Sequence, residues 1–474
     1  MLAKYANKHK VKLGFLPTRR NVFSKEEAGK FKNMIESWLK TTGVEYVNLD
    51  FLNEEGLIFS GLDADTVAYK FITEKVDAIF APHCNFGTED AVAKVAKKVG
   101  KPLLIWGPQD DAPDEDGTRM RDTQCGMFAT TKVLQRMGVP FTYVTNCKLE
   151  DAVFKKGFEN FLSVAAIIKA FRNIRVGQIS TRPGAFWSVI CNEGELLERF
   201  GVETVPWTMV DIEVGVKEML KNNSSEMTAA FDDIRSRIKN INITEEELKR
   251  VAALKATVQS WADREQLSAI GIQCWYALQK AIQTQTCFVD ADLTDDGLPT
   301  VCETDIHGAI TSILLQASRF GQTPVFFADL TIRHPENPNA ELLWHCGTFP
   351  YSLAKDPNQA ALVGGMCPGV GEWEIKGGDV TVSRFDALKG DYYLLMGEGR
   401  GVSGPKNKGT YLWTEFKDWP LWEHKFMYGP YIHHCTGIHG KVAAALYEAC
   451  KYMPGVIADP VEPTAAEIEK YLRG

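Results

Sequence analysis

The sequence predicts an α/β protein: two doubly wound parallel-sheet domains, over residues 1–172 and 173–320, followed by a β-rich C-terminal domain over 321–474. Three observations lead there. Short apolar runs alternate with amphipathic stretches in the first third of the chain; the same alternation restarts after a long helical stretch; and beyond about Val301 the chain turns to Gly, Trp and Tyr with alternating apolar and polar residues. Alternating βα patterning gives parallel sheets with helices on both faces, whereas period-2 runs between turn residues give antiparallel strands. At 474 residues the chain exceeds one ordinary core, since domains run to roughly 150 residues.

In the first domain, VKLGFLP, VEYVNLDF, VDAIFAPH and PLLIWG read as strands, separated by the helical patterns KEEAGKFKNMIESWLKTTG, DADTVAYKFITEK and TEDAVAKVAKKVG. Ligands of such sheets sit beyond the strand C-termini, which directs attention to the loops after Pro17, Pro82 and Trp106. A helix from about Leu149 to Ala170 leads into RVGQIS and the second domain. There Thr244 and Glu247 have the spacing of a capping box, in which each side chain satisfies the other's free backbone amide, so a helix starts at Thr244 and runs to about Asp263. In the last domain DVTVSRF and DYYLLMG are antiparallel strands, and GKVAAALYEACKYM is a closing helix. Gly399, Gly401 and Gly404 match GxGxxG literally, but Pro405, Asn407 and Gly409 follow where a dinucleotide fingerprint needs a helix, so the segment reads as a glycine-rich turn.

The bulk composition narrows the function. A net charge of -8 disfavours nucleic acid, whose phosphates need clustered Lys and Arg. No apolar run of about 18 residues and no secretory h-region is present, so we expect no membrane partner and a cytoplasmic location. The eleven cysteines contain no CxxC pair and read as reduced thiols.

Ionisable residues emerge where apolar runs end in VCETDIHGAIT (Glu303, Asp305, His307), VFFADLTIRH (Asp329) and LLWHCG (His345), and YIHHCTGIHGK places His433, His434 and His439 within seven residues. A carboxylate behind Phe326, Phe327 and Ala328 needs a partner, because an unpaired buried charge is costly. Two carboxylates with one or two imidazoles suit Mn, Fe, Co, Ni or Zn, the oxygen-rich sets leaning towards Mn or Mg. Taken singly, each residue also has a structural explanation as a helix-dipole partner, a turn cap or a core histidine. Cys302, Cys346 and Cys435 adjoin these residues but, beside a ligand in a strand, are expected to point to the opposite face as packing. Arg19, Arg20 and Arg182 follow strand ends, where guanidinium groups bind hydroxyls or an anionic substituent; Trp413 and its aromatic neighbours offer faces for a sugar or for the core.

The order of ETDIHGAIT, FFADL, LWHCG and GIHGK resembles the L-fucose isomerase family and its L-arabinose isomerase relatives over most of the chain. The resemblance implies two α/β domains and a β-rich domain, and a metal-dependent aldose–ketose isomerase working through an ene-diol. It implies Glu303, Asp329 and His439 as metal ligands, the two carboxylates doubling as acid and base, with His345 where arabinose isomerases place a further histidine. The metal expected is divalent, with Mn2+ first. It also implies a trimer or hexamer in which His83, Asn85 and Phe86 of a neighbour's first domain close the site; Arg19, Arg20, Gln273 and Trp413 are further candidate sugar contacts, apart from the resemblance. L-fucose, L-arabinose, D-arabinose and an anionic sugar such as sulfoquinovose all fit as substrates. A non-catalytic sugar-binding protein is the main alternative, and a nicotinamide dehydrogenase is disfavoured by the missing glycine fingerprint after the first strand.

Overall fold

The computed structural model describes residues 7–474, which fall into two compact units. One comprises Lys10–Lys169 with two pieces from the far end of the chain, Lys451–Met453 and Ala465–Gly474. Its centre is a parallel five-stranded sheet of β1 (Lys12–Phe15), β2 (Glu45–Val47), β3 (Ala78–Pro82), β4 (Leu103–Trp106) and β5 (Thr142–Tyr143), in the order β2-β1-β3-β4-β5. Alternation along the strands sends Phe15, Phe80 and Trp106 to one face, against the helices Lys25–Thr41 and Ala152–Phe171. Ile79, Ala81 and Ile105 go to the other face, against the helices Ala64–Thr73, Glu89–Val99 and Thr123–Arg136. The sheet is therefore doubly wound, and its strand order reverses between β1 and β3. The late residue Tyr452 is tied in by its hydroxyl, which donates to the Leu103 carbonyl at 3.0 Å.

The other unit, built mainly from Ala170–Cys450, contains two sheets. β6 (Arg175–Ile179), β7 (Glu203–Trp207), β9 (Ala269–Ile272) and β10 (Thr300–Val301) form a parallel sheet in the order β10-β9-β6-β7. The short β8 (Asn240–Asn242) belongs to the second sheet, at the end of the order β19-β16-β15-β18-β11-β12-β17-β14-β13-β8. Its strands are β11 (Val325–Arg333), β12 (Ala340–His345), β13 (Ala361–Gly364), β14 (Pro368–Glu374), β15 (Gly378–Leu388), β16 (Asp391–Val402), β17 (Thr410–Glu415), β18 (His434–His439) and β19 (Val456–Pro460). Because β16 also pairs with β17, the antiparallel strands β16-β15-β18-β11-β12-β17 close on themselves as a barrel. Closure removes the open strand edges. Among the described residues no helix is long and apolar enough to cross a membrane.

Local expectations translate directly. Thr244 and Glu247 form the reciprocal capping box, with the Thr244 amide donating to Glu247 Oε2 at 2.8 Å, and the helix runs Glu245–Arg264. The glycine-rich turn expected at Gly399 and Gly401 is instead strand: both lie within β16, opposite Val380 and Gly378 of β15, and no helix follows them. The barrel interior is tight where β11 and β18 cross: Phe326 faces Gly437 in register, and a Cβ at Gly437 would lie 2.2 Å from Phe326 Cζ.

That contact gives a stability prediction. Gly437→Ala should lower the free energy of unfolding by about 1–3 kcal/mol, the usual range for overpacking a core, whereas Gly364→Ala, with nothing within 4 Å of the added methyl, should be close to neutral. Urea denaturation of both variants checks it.

Candidate functional site

Strand pairing assembles the site. β11 and β18 are antiparallel and place Asp329 directly opposite His434. β12, on the other side of β11, ends at His345. The fourth member, Glu303, comes from the short turn Cys302–Thr304 that follows β10 and precedes the helix Ile306–Ser318. In that turn Glu303 and Thr304 both adopt left-handed backbone angles, with φ of 56° and 55°. Two successive non-glycine residues in this region cost on the order of 1–3 kcal/mol each and mark a backbone held for a purpose.

The four side chains converge. His345 Nε2 lies 3.7 Å from Glu303 Oε2 and 3.8 Å from Asp329 Oδ1, and His434 Nε2 lies 3.8 Å and 3.6 Å from the same two oxygens. These separations are too long for hydrogen bonds. Glu303 Oε2, Asp329 Oδ1 and His345 Nε2 are buried, and none has a hydrogen-bond partner among the described residues. A buried, unsatisfied carboxylate oxygen carries a penalty of several kcal/mol. Two such oxygens and two ring nitrogens around one point fit a divalent cation, whose ligands at about 2.0–2.2 Å from the ion stand roughly 3–3.5 Å apart.

The remaining atoms of these residues are held in place. Glu303 Oε1 accepts from Trp275 Nε1 at 3.1 Å and from Cys274 Sγ at 3.3 Å. The Cys346 amide donates to His345 Nδ1 at 3.0 Å, which turns Nε2 towards the cluster. His434 Nδ1 is 2.9 Å from Asp305 Oδ2. Asp305 is itself gripped by the fully buried Arg384, through Nη1 to Oδ2 and through Nη2 to Oδ1 at 3.1 Å, and it caps the helix Ile306–Ser318 through the Gly308 amide at 2.9 Å. Arg384 Nε continues to Asp386 at 2.8 Å, and Asp386 to His307 at 3.0 Å. Burial alone would raise the Asp305 carboxyl, but Arg384 and His434 overcome it and hold the group well below the usual carboxylate range. Burial likewise opposes charge on Glu303, and His345 and His434 reverse it. His345 is raised well above its ordinary value despite its burial, because Cys346, Asp329 and Glu303 surround it with negative charge. Phe327 packs on both His345 and His434, and Phe186 and the 43% exposed Trp275 form a T-shaped pair beside His434 and Glu303.

Residues 14–172 match the family model described as the fucose/sulfoquinovose isomerase N-terminal domain. Sulfoquinovose isomerase of Priestia aryabhattai is 24% identical over 400 residues, covering 82% of this chain and 85% of that protein. The protein of the same name from Priestia megaterium matches to the same extent, and that of Alkalicoccus urumqiensis is 22% identical over 401 residues, covering 83% and 86%. The chain is thus similar to the fucose/sulfoquinovose isomerase N-terminal domain over its first third, and to sulfoquinovose isomerases over most of its length.

Of the residues expected to form the cluster, the structure brings together Glu303, Asp329 and His345, with His434 in the place expected for His439. His439 lies five residues further along β18, so its side chain leaves the opposite face, and its Nε2 is 2.8 Å from the Lys376 carbonyl. Trp413 is also elsewhere: it is 1% exposed, packs with Leu342 and Tyr411, and donates its indole N–H to the Pro405 carbonyl at 2.8 Å, which is core behaviour. Gln273 directly follows β9 and is half-buried, its amide donating to the Ile179 carbonyl at 3.1 Å. Arg19, Arg20, His83, Asn85 and Phe86 lie together in the first unit, on the loops after β1 and β3. Arg19 is committed to Glu55 at 2.6 Å. Arg20 lies over the Phe86 ring at 4.3 Å, and its amide donates to Asn85 at 2.7 Å. His83 contacts Thr130 at 2.8 Å, and burial holds its pKa down to about 4. Trp275 and Arg384 are site residues that the sequence did not single out, whereas Asp305 and His434 stood among its ionisable candidates but not among its ligands.

Two predictions follow from this geometry. After chelation and reloading with Mn2+, Glu303→Gln, Asp329→Asn and His434→Ala should each weaken binding at least tenfold, while His439→Ala stays within about twofold; isothermal titration decides, and an equal loss at His439 would reverse the assignment. Asp305→Asn should cost about 3 kcal/mol or more at neutral pH, because it leaves the buried Arg384 charge with Asp386 as its sole anionic partner and removes the acceptor of His434. With the folded pKa of Asp305 depressed, its contribution is complete above an unfolded value of about 4 and is lost as pH falls, so urea midpoints of wild type and variant should converge in acid.

Proposed function

We propose that the Glu303 cluster is the catalytic centre of an isomerase that interconverts an aldose and a ketose with the help of one divalent ion. Kinship with proteins named sulfoquinovose isomerase over more than four fifths of the chain makes this chain an aldose–ketose isomerase. The observation that carries the reading is the convergence of two orphaned carboxylate oxygens and two imidazole nitrogens on one point. Glu303, Asp329, His345 and His434 would hold the ion, and the mixed oxygen and nitrogen set suits Mn2+. When bound, the ion supplies Lewis-acid stabilisation of negative charge on the sugar oxygens.

The chain's own groups handle the protons. Isomerisation moves one proton between C1 and C2 and another between O1 and O2, through an ene-diol. We assign these transfers to Glu303 and Asp329. Glu303 is fixed by Trp275 and Cys274 so that Oε2 alone faces the reacting region, and Asp329, its side chain 19% exposed, stands on the more open side. Asp305 keeps His434 in the tautomer whose Nε2 lone pair faces the cluster. Trp275 and Phe186 offer the apolar surface a sugar ring needs and exclude water beside Glu303. A protein that merely holds a sugar has no use for the strained Glu303 turn. Sulfoquinovose, the sugar in the relatives' names, is the substrate we propose. We also propose assembly as a trimer or hexamer; His83 and Asn85 are fully buried, so of that loop only the half-buried Phe86 is available to a neighbouring copy.

Purified protein should convert sulfoquinovose to its ketose faster than L-fucose or L-arabinose, lose activity to a chelator and regain it with Mn2+. Glu303→Gln and Asp329→Asn should each reduce turnover by roughly 10³-fold. In deuterated water the ketose should carry deuterium at C1. A variant retaining a tenth of wild-type turnover with full metal content, or complete retention of the C2 hydrogen at partial conversion, would overturn the acid–base assignment.

A further inference from the structure

Two cysteines distant in the sequence nearly touch beside this cluster. Cys287 Sγ and Cys346 Sγ are 3.0 Å apart, which leaves about 1 Å to the length of an S–S bond. Cys287 opens the helix Cys287–Asp295, and Cys346 directly follows the end of β12. The next residue, Gly347, has a φ of 131°, and a Cβ there would lie 3.3 Å from Cys287 Cβ, so the strand end is seated against the helix start. Cys302 is also near, its sulfur within 4.8 Å of Cys346 Sγ, but it donates to Asp290 Oδ2 at 3.5 Å. Neither Cys302 nor Cys346 is the isolated packing residue that strand alternation suggests. Cys346 also holds a member of the cluster. Among the described residues both hydrogen-bond contacts of His345 Nδ1 are made by Cys346, through its amide at 3.0 Å and its sulfur at 3.2 Å.

We propose that Cys287 and Cys346 form a reversible disulfide that acts as a redox switch on the cluster. The oxidant is a peroxide small enough to reach Cys346, which is half-buried where Cys287 is buried. The Cys346 sulfur takes a hydroxyl from hydrogen peroxide, breaking the O–O bond and releasing water. The Cys287 sulfur then displaces that hydroxyl as a second water and closes the S–S bond. Two thiols give up two hydrogens and two electrons, and the peroxide is reduced to water. A small dithiol reverses the step, returning the electrons and protons and becoming a disulfide itself. Closure removes the S–H of Cys346 and shifts its sulfur. The His345 ring thereby loses one of its two Nδ1 contacts, and with it the hold that aims Nε2 at Glu303 and Asp329.

The bond forms whatever the cluster does; its effect on Mn2+ rests on the assignment of the cluster as a metal centre, and the test separates the two. Wild-type protein is treated with a small excess of hydrogen peroxide, the remaining thiols are alkylated, and the protein is digested without reductant. The peptides carrying Cys287 and Cys346 should appear joined and separate with dithiothreitol. Isothermal titration of the oxidised protein should show Mn2+ binding at least tenfold weaker, restored by dithiothreitol. Cys287→Ser treated in the same way should stay within about twofold of its untreated affinity. Since that substitution is buried, the dithiothreitol reversal in wild type reads the same switch without altering a residue. No joined peptide, a bond from Cys346 to Cys302 instead, or unchanged Mn2+ affinity in the joined protein would each overturn the proposal. Reduced protein that binds no Mn2+ would overturn the metal assignment, and the peptide map alone then decides the cysteine pair.

Discussion

The buried pairing of Arg384 with Asp305 is the interaction on which this site depends. Arg384 lies on β15 and is fully buried, so its charge must be answered on the spot, and Asp305 and Asp386 answer it. Asp305 at the same time caps the helix Ile306–Ser318 and holds His434 on β18. One carboxylate thus ties the helix that follows the parallel sheet to two barrel strands. The helix can come this close because residue 308 is glycine: a Cβ there would lie 2.6 Å from the Phe327 ring and 2.8 Å from Asp305 Oδ2. Phe327 in turn packs on both cluster histidines. Helix start, barrel wall and imidazole orientation are consequently parts of one arrangement, and a change at any of them is felt at the others.

The barrel explains why the donors come from distant parts of the sequence. Asp329, His345 and His434 lie on three neighbouring antiparallel strands, and the hydrogen-bond register fixes their spacing. Glu303 arrives from the parallel sheet of the same unit, through the turn after β10. Scaffold strands position catalytic groups more finely than loops do, because each backbone group is already paired.

Much of this was legible in the residues. Alternation of apolar runs and amphipathic stretches gave the parallel sheets, the Thr244 and Glu247 spacing gave a helix start, and FFADL announced a carboxylate arriving through the core. Barrel closure was not legible, because the pairing of β16 with β17 is a long-range event with no local signature. The choice between His434 and His439 turned on which face each occupies. Strand alternation separates them, but it names the face only once Asp329 is known to sit opposite His434, and pairing register is a tertiary fact. Trp413 shows the same limit from the other side, since an aromatic ring suits a sugar and a core equally until its N–H partner is seen. Arg384 lay in a strand pattern that gave no hint of a buried cation, and only its two carboxylate partners make sense of it.

The left-handed turn at Glu303 has an evolutionary consequence. At a backbone angle that glycine tolerates freely, a glutamate carries a conformational cost that a glycine would not. Selection for thermal robustness alone would favour glycine at this position and discard the carboxylate in doing so. With Glu303 in the role proposed above, a library screened for heat resistance must be screened in parallel for turnover, or its best-folded members will be its least active.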